Sequence, residues 1–175
     1  TGSCNPAQHY MVDTSRKLAQ IEEYIEEGLY FTINRARQFG KTTTMDSLFR
    51  LLSDKYFMIK ISFEGLGEED YREGRLFLSE FQKILVKKIK TVSPDLADFW
   101  KTPALSFGDL SQKVYDFCKL VNKPVVLMID EVDKSQNNQL FLDLLGMLRN
   151  LYLERSESGD MNSTFHSVIL AGVYD

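Results

Sequence analysis

The stretch VVLMIDEVD, residues 125–133, decides the fold. Val125 to Ile129 is an unbroken apolar run with no alternation, the pattern of a strand covered on both faces in a parallel sheet. It ends abruptly in two carboxylates, Asp130 and Glu131. Such a pair is either a solvated, inert strand end or one half of a site that needs a cation, because burying carboxylates without one is costly. In a parallel sheet, ligands sit at the carboxyl ends of the strands, where this pair falls.

A second stretch, YFTINRARQFGKTTTM at residues 30–45, supplies the other half. A short β-rich run leads into Gly40-Lys41-Thr42, and a helical pattern follows with Met45, Leu48, Phe49 and Leu52 on one side. Strand, loop and helix in this order make the setting a phosphate-binding loop requires. Backbone N–H groups and the helix N-terminus hold phosphate oxygens, Lys41 reaches the β- and γ-phosphates, and the Thr42 hydroxyl ligates magnesium. Thr43 adds a hydroxyl toward the α-phosphate, and the grip is expected to span Arg37, Gln38, Phe39, Gly40, Lys41, Thr42 and Thr43. Alone, the tripeptide is weak, since an exposed lysine on an ordinary loop reads the same. Arg35 weakens it further by standing where the usual formula has its first glycine. Asp130 and Glu131 restore it: Asp130 is the expected magnesium ligand, directly or through water, and Glu131 the base for the attacking water. An acid next to the metal-binding aspartate favours water as the nucleophile. Asp133 and Lys134 either support the metal-binding carboxylates from behind or simply face solvent, and surface is the favoured reading.

The rest of the chain supplies the frame. A helix capped by Asp13 or Thr14 carries Leu18, Ile21 and Ile25 and ends near Gly28. A strand is read in YFMIKISFEG, and a charged helix from about Glu69 to Lys90 with Phe77, Phe81, Ile84 and Leu85 inward. TVSPDLADFWKTPALS reads as an irregular connector, and Ser106 as the cap of a helix carrying Phe107, Leu110, Val114 and Phe117. A leucine-rich helix follows the acidic pair, then a polar loop, ERSESGDMNS, and a last buried strand, SVILAGV. Strands alternating with helices predict a parallel α/β sheet with right-handed crossovers.

Composition bounds the function. With 175 residues, 43% hydrophobic and 26% charged, the chain has the make-up of one globular domain. Its net charge of -4 argues against binding nucleic acid through the whole surface. Cys4 and Cys118 form neither a metal motif nor a disulfide framework, which fits a reducing cytoplasm. No apolar run approaches membrane-spanning length, so no membrane partner is expected. The missing initiator methionine and the ending just after an apolar run suggest a fragment of a longer protein.

Taken with HYMVD, ISFEG and SVILAGVYD, the two motifs resemble the AAA-ATPase-like domain family of bacterial P-loop ATPases, over nearly the whole chain. Loops in that family have the form N-R-x-R-x-F-G-K-T without the first glycine, so Arg35 looks like a family variant. The resemblance implies a P-loop NTPase three-layer sandwich with a parallel sheet (an AAA+-like core), truncated before its lid. It implies an N-terminal helix and adenine-side segment at 1–29 and a nucleotide-binding core at 30–175. Tyr10, Met11, Val12 and Asp13 either pack on the adenine or simply close an edge of the core. Members are often fused to a domain resembling a PD-(D/E)XK nuclease, which would make nucleic acid an eventual target, and they often assemble with further copies of themselves. Two departures stand out: Leu170 to Val173 offers no polar group to sense the γ-phosphate before Tyr174 or Asp175, and the sequence stops before a helical lid or any arginine finger could appear.

The expectation is magnesium-dependent ATP binding and hydrolysis, with Lys41 and Glu131 as the catalytic groups and Thr42 and Asp130 on the metal. The alternatives are an ATP-binding switch with little turnover and a P-loop kinase for a small molecule. Arg35 and Arg37 either touch phosphate or pair with nearby carboxylates, and Glu64 has no assigned role. His9 and His166 read as structural, and Phe99 and Trp100 as anchors of their loop. Lys83, Lys87, Lys88 and Lys90 are explained by the end of their helix.

Overall fold

The computed structural model describes the backbone of residues 6–35 and 43–173, with side chains from 16–34 and 46–172. Ten main elements alternate along the chain: α1 (Pro6–Glu26), β1 (Tyr30–Arg35), α2 (Thr43–Leu52), β2 (Phe57–Ser62), α3 (Gly74–Val92), α4 (Pro94–Phe99), α5 (Phe107–Leu120), β3 (Val125–Asp130), α6 (Gln139–Ser158) and β4 (Ser167–Val173). The sheet has the order β1-β4-β3-β2, and every pairing is parallel. The last strand is therefore inserted between the first and third, and β3 lies inside the sheet.

Side-chain alternation along the strands divides the core into two layers. Val126, Met128, Ile169 and Ala171 face α1 and α2, meeting Ile21, Ile25, Leu48, Phe49 and Leu52. Val125, Leu127, Ile129, Ile59, Ile61 and Val168 face the other way, against α3, α5 and α6. All six residues of β3 are buried, as the unbroken apolar run predicts. The three-layer sandwich with a parallel sheet is thus the observed architecture.

Several boundaries differ from the sequence reading, each for a local reason. Helix α1 begins at Pro6, so Asp13 and Thr14 lie inside it and not at its start; proline suits a first helical turn, where its missing N–H costs no bond. Helix α3 begins at Gly74, because residues 68–71 form a separate 3-10 turn in which the Asp70 carboxylate accepts from Gly67 N–H at 2.8 Å. The connector after α3 contains α4, whose start the Ser93 hydroxyl caps, with Pro94 as its first residue. Residues 154–158, read as loop, are the last turn of α6, which ends where Gly159 adopts φ 73°.

Candidate functional site

The acidic turn grows directly out of β3. Asp130 is the last residue of that strand and 4% exposed. Its carboxylate accepts from the N–H of Glu131 at 2.8 Å, and its carbonyl accepts from Phe63 N–H, just beyond β2, at 3.0 Å. Glu131 then turns the chain through a left-handed backbone with φ 57°, the one non-glycine residue with positive φ among those described. L-residues avoid this conformation because Cβ crowds the following carbonyl, so surrounding contacts must hold it. Those contacts are present. Val132 N–H donates to Ala171 of β4 at 3.2 Å, and residues 133–135 close into a 3-10 turn. Ser135 is buried and its hydroxyl meets the phenol of Tyr71, in the turn after β2. Asn138 finally caps α6, its side chain accepting from Leu140 N–H at 2.9 Å and Phe141 N–H at 3.3 Å.

Asp133, read from sequence as surface, is half-buried beside Gly172 of β4, while Lys134 is exposed as expected. A Cβ at Gly172 would lie 3.5 Å from the Asp133 backbone nitrogen, leaving room for little more than a methyl group. β4 thus meets the acidic turn through its backbone, at the Ala171 carbonyl and at Gly172.

The phosphate-loop residues Arg37, Gln38, Phe39, Gly40, Lys41 and Thr42 lie outside the described residues, as do the side chains of Arg35, Thr43 and Tyr10 to Asp13. The described elements fix the ends of that loop: β1 stops at Arg35 and α2 starts at Thr43. Because all four strands are parallel, the exit of β1 and the acidic turn of β3 share one edge of the sheet. On α2, Asp46 accepts from Lys60 of β2 at 2.9 Å, so that cation is already paired. Glu64 is exposed, its N–H donating to the Ser62 hydroxyl at 3.1 Å, and Ser62 stands in register with Asp130. Among the described residues, no three His, Cys, Asp and Glu side chains gather into a cage.

Away from this edge, polar groups serve the frame. His166 bonds the Ile25 carbonyl through Nε2 at 2.7 Å and stacks on Tyr56, as its structural reading implies. Trp100 is buried, and Gln82 ties its loop by donating to the carbonyls of Trp100 and Thr102 and accepting from Ala104 N–H. Burial pushes the Cys118 thiol up to about 12. Arg155 escaped the sequence reading. It is 2% exposed and donates to the carbonyls of His166 (2.5 Å), Gly28 (2.6 Å) and Phe165 (3.2 Å), with its guanidinium over Tyr30 and Tyr152. Among the described residues, no helix is long and apolar enough to cross a membrane.

Comparison with known proteins bears on the fold and the family. No curated protein matches the chain. Solved structures resemble it, among them Drosophila ORC bound to DNA, at 12% identity, TM-score 0.48 and 96% of this chain against 79% of that one, and the Aeropyrum pernix ORC2 protein in its ADPNP-ADP complexes, at 13% identity, TM-score 0.52 and 93% of this chain. This chain spans only 40% of the archaeal protein, and at that identity the likeness is one of fold. The family model described as the AAA-like domain matches residues 3–171, nearly the full length, and the chain belongs to that family.

Proposed function

We propose that this domain binds ATP with magnesium and hydrolyses it, coupling nucleotide state to a change of conformation. Asp130 carries the proposal: a nearly buried carboxylate ends an interior strand, with Glu131 in a strained turn beside it, on the edge where the β1–α2 loop opens. A carboxylate at the carboxyl end of an interior parallel strand is placed to help hold a hard cation, and carboxylate with hydroxyl oxygen is a suitable donor set. Asp130 and Thr42 would hold magnesium, which when bound neutralises charge on the phosphates. The segment Arg37 to Thr43 would supply backbone donors to the phosphates, and Lys41 its ammonium group. Glu131 would accept the proton of a water whose oxygen attacks the γ-phosphorus, breaking the bond to the bridging oxygen and releasing ADP. A nucleotide as ligand is also in keeping with the archaeal neighbour, which is described in complexes with ADPNP and ADP.

Two substitutions test this. Lys41→Ala should abolish binding of a fluorescent ATP analogue, and unchanged binding would sink the proposal. Glu131→Gln should lower turnover by roughly 10²–10⁴-fold, the usual contribution of a general base, while ATP still binds. If the wild type turns over little and this variant changes nothing, the domain is a nucleotide switch. Phosphate appearing on a metabolite, and not in water, would make it a kinase. We extend the proposal to self-assembly on ATP, read by light scattering, and to nucleic acid as a target through a nuclease-like domain in the full-length gene product.

A further inference from the structure

We propose that the Tyr71–Ser135 hydroxyl pair is a positioning device for Glu131, setting the efficiency of hydrolysis without touching nucleotide. This rests on Glu131 being the base. The turn that carries Glu131 has a backbone conformation its own residues disfavour, so its geometry is set by whatever restrains it from outside. Upstream, Asp130 is fixed by the sheet and receives the Glu131 N–H. In the middle, Val132 N–H is held by β4. Downstream, the 3-10 turn is closed by Ser135 N–H on the Val132 carbonyl at 2.9 Å, and Ser135 carries the tie to Tyr71.

Tyr71 suits an anchor. It ends the turn Glu68–Tyr71, which follows β2 and has no sequence proximity to the acidic turn. Its ring leans on Phe77 at 5.4 Å, and Phe77 in turn meets Phe63 and Phe107, so the phenol is presented from the rigid core of α3. Ser135 is 2% exposed, which leaves its hydroxyl dependent on a protein partner. Removing the phenol oxygen deprives a buried hydroxyl of that partner and loosens the downstream end of the turn, where the Ser135 backbone keeps its bonds to Val132 and Asn138. The ring contacts that stabilise the fold stay in place. A displacement on the order of 1 Å at a catalytic group costs about 10²-fold in rate, so a partial loosening should cost about tenfold.

The experiment uses the full chain with Tyr71→Phe, Ser135→Ala, the double variant, and each in a Glu131→Gln background, measuring kcat and KM for ATP hydrolysis, affinity for a fluorescent ATP analogue, and thermal unfolding. We expect kcat to fall about tenfold in either single variant and no further in the double. KM and analogue affinity should stay within twofold, and neither substitution should slow the Glu131→Gln variant further. A purely structural hydroxyl pair would lower the unfolding temperature and leave kcat of the folded protein unchanged, which overturns the inference. Independent, multiplying effects of the two substitutions would also overturn it. If the wild type hydrolyses ATP and Glu131→Gln stops it, failure of Tyr71→Phe to alter kcat sinks the positioning role alone. If Glu131→Gln leaves hydrolysis intact, the underlying assignment falls and this inference falls with it.

Discussion

Replacing Glu131 by glycine should stabilise the domain relative to alanine, the reverse of the usual order. The backbone there sits at φ 57°, a region costing an L-residue about 1–2 kcal/mol. Glycine escapes that cost but loses about 0.5–1 kcal/mol more chain entropy on folding than alanine does. The difference leaves glycine ahead by about 0.5–1 kcal/mol. Both substitutions delete the same carboxylate and its contacts, so these effects cancel in the comparison. At about 2–4 °C per kcal/mol for a chain of this size, glycine should melt about 1–4 °C above alanine. The assay is calorimetry without nucleotide, since a ligand of the folded state would add its own stabilisation. An alanine variant as stable as the glycine one, or more so, would refute the claim that the turn stores backbone strain. Both variants should also lose turnover to the extent of Glu131→Gln, separating the cost of the conformation from the use of the carboxylate.

Other outcomes follow from single residues. Arg155→Met leaves three buried carbonyls, those of Gly28, Phe165 and His166, without their donor, and should cost about 3–5 kcal/mol, or about 6–20 °C in melting temperature. His166 has its pKa lowered, chiefly by burial, so the folded state favours the neutral ring. Its contribution to stability is therefore present above the unfolded-state value of about 6.5 and lost as pH falls through the lower folded-state value. His166→Gln should flatten that acid limb in denaturant titrations from pH 7 to 5, and an unaltered slope would contradict the assignment. In a Cys4→Ser background, Cys118 should resist thiol reagents at pH 8 until the chain unfolds, because burial raises its pKa to about 12.

The sheet was legible where one physical constraint dominates. Val125 to Ile129 is apolar without alternation because both faces of β3 are covered, and its shortness and β-branched residues favour an interior strand over a buried helix. Strand order was not legible: nothing local to SVILAGV says that it slips between β1 and β3. Helix ends were hidden where no capping side chain announces them, as at the start of α3, where Glu73 makes no side-chain cap bond. The acidic half of the site could be named from chemistry, since carboxylates ending an apolar run are conspicuous. Its supports could not. Tyr71 lies within a charged run that reads as helix, and Ser135 in a polar run that reads as surface, and only the fold brings their hydroxyls together. Arg155 likewise looks like an ordinary charge in a polar stretch, because its partners are carbonyls, which leave no trace in residue type.

These supports would carry a movement at this edge of the sheet into the acidic turn. It is tied at Val132 to β4, the neighbour of β1, and at Ser135 to the segment leaving β2. A shift of β4 along its axis would pull on the Val132 N–H and on Asp133 beside Gly172, while the Tyr71 tie holds the other end of the turn. Glu131, whose backbone already departs from its preferred conformation, directly precedes the Val132 tie, so a displacement of Val132 reaches it without an intervening residue. Enlarging Gly172 to valine should press on Asp133 and lower turnover more than it lowers nucleotide affinity. A loss of affinity with kcat unchanged would show instead that β4 acts on nucleotide binding and not on the acidic turn.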